Sequence, residues 1–200
     1  MKSHESENIA SGFYGLGIAP ALLEILGRLH FKTPTPIQTQ AIPVAIQSKD
    51  LVGIAQTGTG KTLAFGVPMI QRLAQIKGQG LVILPTRELA LQVDEVIQSL
   101  GKGTGLRTAV LIGGTSLMPQ IKALAKQPHI IVATPGRLID HLHQKNIRLD
   151  GVKIVVLDEA DRMLDMGFFP QIQKIFAVLP KDRQTMLFSA TMPQEIVKMA

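Results

Sequence analysis

The sequence predicts an open, doubly wound α/β fold: one parallel sheet with helices on both faces. Six short runs carry the prediction, "LVGIA" (51–55), "GLVILP" (80–85), "TAVLIG" (108–113), "HIIVAT" (129–134), "KIVVLD" (153–158) and "QTMLFSA" (184–190). They are rich in Val, Ile and Leu and apolar throughout rather than alternating, as strands covered on both faces must be. Helical patterns and turn residues separate them, so each connection can cross over and lay the next strand parallel to the last. In such a sheet ligands bind beyond the carboxyl ends of the strands, which makes the residues after each strand the candidates for chemistry.

Two helical patterns precede the first strand. "PALLEILGRL" (20–29) puts Pro20 at a tolerated first-turn position and repeats Leu22, Leu26 and Leu29 at helical spacing, a helix packed on the core. A second pattern starts at Pro36 and is expected to break or kink at Pro43, whose ring removes a backbone hydrogen bond. Further helices are predicted over 61–76, 87–100, 116–126, 136–144, 168–178 and from 194 onward. "MLDMGFF" (163–169) reads as packing for the turn after the fifth strand. His141 and His143, two apart on a helix, point to different sides and read as surface residues, not a metal pair.

Composition bounds the function. The 200 residues suit one compact domain, and an apolar fraction of 46% supports a sizeable core. No run is long and apolar enough to span a bilayer, and "MKSHESENIA" is too polar for a secretory signal, so a cytoplasmic protein without a membrane partner is expected. The absence of cysteine excludes disulfides and thiolate metal sites. Lys plus Arg number 21 against 15 Asp plus Glu, a net +6 that favours an anionic partner such as nucleic acid.

The strongest local signal is "AQTGTGKT" (55–62), directly after a strand and at the start of a helix. Gly58 and Gly60 permit backbone conformations that turn amide N–H groups onto phosphate oxygens, while Lys61 neutralises the outer phosphates and the Thr62 hydroxyl holds magnesium. Ala55 stands where the consensus phosphate loop has its first glycine. The helix that opens here adds its positive end to the site.

"IVVLDEAD" (154–161) runs from an apolar strand into three carboxylates, which would be costly to bury without a metal, a base or water opposite. Asp158 ends a strand parallel to the one feeding the phosphate loop and is placed to hold the water shell of that magnesium. Glu159 is the candidate to accept a proton from, or orient, the water attacking the outer phosphate. Asp161 reads equally well as a cap for the following helix.

These residues resemble the N-terminal RecA-like domain of a DEAD-box ATP-dependent RNA helicase, over a stretch from about Phe13 to the last residues. Seven ordered motifs carry the resemblance: "PTPIQ" (34–38), "AQTGTGKT" (55–62), "PTRELA" (85–90), "GG" (113–114), "TPGR" (134–137), "DEAD" (158–161) and "SAT" (189–191). The family also accepts alanine at the head of its phosphate loop. The resemblance implies ATP and Mg2+ as cofactors, with Thr33, Gln38, Gln56, Thr57, Gly58, Thr59, Gly60, Lys61 and Thr62 around the nucleotide. The Gln38 amide suits the N6 and N7 edge of adenine, and Phe13 sits where the family places an aromatic that stacks near the base. His30 stands where the family commonly has glycine.

By the family's pattern Pro85, Thr86, Arg87, Gly113, Gly114, Thr134, Pro135, Gly136 and Arg137 line an RNA path. Hydroxyls, glycine amides and guanidinium groups suit backbone phosphates and 2′-hydroxyls, so binding is expected to be independent of sequence. With one Tyr and no Trp, a base-stacking platform is not in view. Ser189 and Thr191 are implied to couple ATP state to RNA through the DEAD acids, Asp161 among them, although they could equally cap the helix near Pro193. The family's second RecA-like domain, with its arginine fingers, has no match here. Such a chain alone is expected to bind ATP weakly, hydrolyse it poorly and leave duplexes intact. The competing readings are another phosphate-loop NTPase, such as a nucleotide kinase or DNA translocase, and an RNA scaffold with a vestigial nucleotide site. Gln38, "PTRELA" and "TPGR" weigh against the first, and intact Lys61, Thr62, Asp158 and Glu159 against the second.

Overall fold

A computed structural model describes residues 11–198; "MKSHESENIA", read above as too polar for a signal, lies outside them. Six parallel strands form one sheet in the order β1-β6-β5-β2-β4-β3: β1 (Leu51–Ile54), β2 (Gln79–Ile83), β3 (Thr108–Leu111), β4 (Ile130–Ala133), β5 (Val152–Leu157) and β6 (Gln184–Ser189). Each strand lies inside or within a residue of its predicted run. All six stop short of its end because the last residues leave the ladder to shape the loops that carry the motifs.

Alternate residues of the central strands feed two cores. Val82, Val132, Val156 and Phe188 point into one, with α1 (Pro20–Arg28), α2 (Pro36–Ile46), α3 (Lys61–Leu73) and α4 (Arg87–Leu100). Leu81, Ile131, Val155 and Leu187 point into the other, which buries Leu138 of α6 (Pro135–His143), Met163 of α7 (Ala160–Asp165) and Ile172 of α8 (Phe169–Val178). Period-two alternation on strands apolar throughout is what splits the core into two layers. Two further α-helices, α5 (Leu117–Ala125) and α9 (Gln194–Val197), and a 3-10 turn at Ser11–Phe13 complete the elements of the described chain.

Local chemistry accounts for the helix ends. Thr86 caps α4 by accepting the Leu89 N–H at 3.3 Å, and Ala90, Val93, Ile97 and Leu100 then recur on its buried face. One expectation needs correction: α2 is not broken at Pro43, since its buried face of Gln38, Ala41, Ile42 and Ala45 packs on α3 and outweighs the lost bond. A short helix, α7, follows the acids; Ala160 and Met163, one turn apart, anchor it to the core.

His30 explains its own departure from glycine. It is the left-handed residue that ends α1, at φ 63°, and the Phe31 and His30 N–H groups return to Leu26 and Gly27 carbonyls at 2.9 and 3.0 Å. That is a Schellman closure, a position where a Cβ costs energy. Replacing His30 by Gly should therefore raise stability by up to about 1 kcal/mol, read by urea unfolding. A lower midpoint would show that His30 makes compensating contacts.

Candidate functional site

The strand order sorts the motifs. All six strands run the same way, so every strand-end loop lies on one edge of the sheet. The neighbours β1, β6 and β5 bring together the phosphate loop, the Ser189–Thr191 turn and the acids; β2, β4 and β3 bring together the loops at Pro85–Arg87, Thr134–Arg137 and Gly113–Gly114.

In the first group, Gly58 and Gly60 hold φ values of 83° and 86°, and α3 starts directly after Gly60. A side chain at Gly60 would collide with the Gln38 amide. Lys61 is buried, its Nζ 2.7 Å from Glu159 Oε1 and 3.4 Å from Asp158 Oδ1. The Thr57 hydroxyl donates to the same Glu159 oxygen at 2.9 Å. Thus the partner the acids need is supplied by the lysine of the phosphate loop.

Glu159 is held at φ 57° in a left-handed conformation that an L-residue adopts only under constraint. Its N–H donates to Asp158 Oδ1 at 2.9 Å, and the turn aims both carboxylates at Lys61. Burial pushes the Asp158 carboxyl up to about 6, with Lys61 pulling it down and Glu159 adding to the rise. A cation placed here would relieve that cost.

Asp161 works differently. It sits inside the first turn of α7, whose cap position belongs to Glu159, and joins two loops. Its N–H donates to Ser189 Oγ at 2.9 Å, and its Oδ2 accepts both the N–H and the O–H of Thr191 at 3.0 Å. Burial opposes the charge, but the bonds to Ser189 and Thr191 hold the carboxyl below its usual range. Thr191 is spent on this link, and α9 has Pro193 at its cap with no side-chain bond.

A cavity of about 600 Å³ opens beside the loop, walled by Phe31, Thr33, Thr35, Gln38, Thr57, Gly58, Gly60, Lys61, Thr62, Asp158, Glu159 and one face of α4; Gln56 and Thr59 do not line it. Gln38 is buried; its Oε1 accepts the Thr35 N–H at 2.9 Å and its Nε2 donates to the Gly60 carbonyl at 3.1 Å. The Thr35 hydroxyl faces this region buried and without a partner. Phe13 must be corrected: its ring is fully buried in the core and offers no face to a base. Phe31, 36% exposed, is the aromatic at the cavity wall, a residue the sequence reading passed over. Gln56 and Thr59 are joined locally, the Thr59 hydroxyl donating to the Gln56 carbonyl.

Among the described residues, no group of three or more His, Asp or Glu forms a metal site. Magnesium nevertheless fits the donors present. The Thr62 hydroxyl and the buried Asp158 carboxylate are hard oxygens, and magnesium keeps most of its shell as water and phosphate.

In the second group, the Arg87 guanidinium lies against Gly114, where a side chain would overlap it. Arg137 Nη1 donates to the Thr115 carbonyl at 3.0 Å, joining the Thr134–Arg137 turn to the glycine loop. Pro85, Thr134 and Pro135 are buried as supports, whereas Arg87 and Gly114 are exposed and Gly113, Gly136 and Arg137 half-buried. His141 is a further correction: it is fully buried, and only His143 is exposed.

A phosphate loop on a parallel sheet, facing acids from the next strand but one, defines a RecA-like nucleotide-binding domain. The chain belongs to the DEAD/DEAH box helicase family, whose model matches residues 35–199. It is 49% identical over 199 residues to an ATP-dependent rRNA helicase of Yarrowia lipolytica, covering 98% of this chain and 41% of that protein. It is 50% identical over 190 residues to a DEAD-box ATP-dependent RNA helicase of Bacillus cereus, covering 94% of this chain and 36% of the other. Among solved structures, a DEAD box protein from the hyperthermophile Methanococcus jannaschii superposes with TM-score 0.89 at 40% identity, over 94% of this chain and 52% of that one. The chain thus spans about two fifths of the length of these curated relatives.

Proposed function

We propose that this chain is the ATP-binding motor domain of an RNA helicase, acting in the cytoplasm as part of a longer protein that adds a second RecA-like domain. The observation that carries the proposal is the single cavity joining Thr33–Gln38, the phosphate loop and the Asp158–Glu159 pair. Base, phosphates and metal can be read there at once. On binding, phosphate oxygens replace Glu159 as the partner of Lys61, which frees the carboxylate to orient water. Thr62 and Asp158 would hold magnesium, which would supply neutralisation of the phosphate charge.

Gln38 keeps capacity for adenine even with both ends engaged. Its Oε1 has a second lone pair and its Nε2 a second hydrogen, matching adenine N6–H and N7. RNA is proposed to run over Arg87, Gly113–Gly114 and Thr134–Arg137 through backbone phosphates and 2′-hydroxyls. The Ser189–Asp161–Thr191 link supports a coupling role, since it fastens the β6 loop to the helix that follows the acids.

The test is a fluorescence titration with ATP and GTP in magnesium on the wild type and on Gln38→Ala. ATP should bind in preference to GTP, and the variant should lose that preference with about a tenfold drop in ATP affinity. Equal binding of ATP and GTP by the wild type would leave a generic phosphate-loop NTPase in place of this reading.

A further inference from the structure

Behind the glycine loop stand two buried polar side chains that the nucleotide cavity does not use. Gln120 on α5 is 6% exposed and His141 on α6 is 0% exposed. Gln120 Nε2 donates to the Ile112 carbonyl and to Thr115 Oγ1, each at 2.9 Å. Both partners accept, so Gln120 Oε1 is the end that faces His141 Nε2, at 2.8 Å. An amide oxygen only accepts, which places the imidazole proton on Nε2. Nδ1 is then bare and accepts from Asn146 Nδ2 at 3.2 Å. The Asn146 bond needs a bare Nδ1 and so a neutral His141, and burial, with Arg137 nearby, lowers its pKa in the same sense against the opposing pull of Asp140.

We propose that Gln120 and His141 are positioning residues for RNA: they hold the loop Gly113–Thr115 at a set distance from the Thr134–Arg137 turn, so that both meet one run of sugar-phosphate. The inference rests on the RNA path proposed above. Its geometry is a two-point clamp. α6 reaches the loop directly, through Arg137 on the Thr115 carbonyl, and indirectly, through His141 and Gln120 on the Ile112 carbonyl and the Thr115 hydroxyl. The loop needs such a clamp because it follows β3, an edge strand with a ladder on one side only, and because Gly114, at φ 70°, brings no side chain to pack. The clamped loop also supports Arg87, which lies on Gly114. All three strand ends of the proposed path are therefore set by contacts that meet at residues 112–115.

The test uses His141→Leu, His141→Gln and Thr115→Val in this chain. Binding of a labelled single-stranded RNA is followed by anisotropy at low salt, beside ATP affinity and thermal unfolding. His141→Leu strands the Gln120 oxygen and should weaken RNA binding about tenfold while ATP affinity stays within about twofold. His141→Gln, whose amide N–H can reach the same oxygen, should recover most of the loss. Thr115→Val, at an exposed position that does not threaten folding, should weaken RNA binding about threefold. Wild-type RNA affinity in Thr115→Val, and in His141→Leu if it folds, would leave a purely structural network and overturn the inference alone. No RNA binding by the wild-type chain would overturn the proposed RNA path and this inference together.

Discussion

Replacing Glu159 by Gln will leave ATP bound and nearly unhydrolysed. The amide keeps the shape of the carboxyl and an oxygen for the Thr57 hydroxyl and Lys61 Nζ, which stand 2.9 and 2.7 Å from Glu159 Oε1. What it loses is the ability to take a proton from water. Removing a positioned base slows such a step by about 10²–10⁴-fold. Single-turnover hydrolysis with the protein in excess measures it, because the isolated chain is expected to turn over slowly. Nucleotide affinity within about twofold of wild type, together with the rate loss, assigns Glu159 to the chemical step rather than to binding. A Gln variant that hydrolyses at the wild-type rate would remove Glu159 from that role.

Lys61→Ala will act on the fold and on the ligand together. Lys61 is the cation that faces two buried carboxylates, so its loss strands them, at a cost of about 3–5 kcal/mol. ATP affinity should fall about a hundredfold, since a charge-assisted partner of the phosphates is gone. The pH dependence separates the effects. Asp158 is raised from its ordinary 3.8 to about 6, so its contribution to stability is present below the ordinary value and lost as pH rises through the folded one. Lys61 opposes that rise, so in Lys61→Ala the carboxyl titrates higher still. Stability lost on raising the pH should therefore be regained by acidifying the variant toward the ordinary carboxylate range. Thermal unfolding across pH checks this. A variant whose stability deficit does not shrink on acidification would mean that the carboxylates find another partner or water.

The site was legible in the sequence as far as its residue types and their place after strands. The phosphate loop reads out because Gly58, Gly60 and Lys61 answer a local demand of backbone and charge. Phe13 and Phe31 could not be told apart in that way. Both are aromatics ahead of the same motif, and only packing decides that one ring fills the core while the other reaches the cavity. His141 misled for a related reason. A polar residue in a charged stretch reads as surface, and its burial depends on Gln120, twenty-one residues away, supplying the acceptor.

By itself, the sequence determined the class of fold, the run of elements and the family, because apolar strand runs, helical spacing and turn residues are local signals that add along the chain. The tertiary structure alone decided which motifs share a pocket. The order β1-β6-β5-β2-β4-β3 is a matter of long-range pairing, and it sets Lys61 against Glu159 across 98 residues and Asp161 against Thr191 across 30. It also decided that Lys61 and the acids hold one another, since buried charges must find partners and these are the nearest that packing brings within reach.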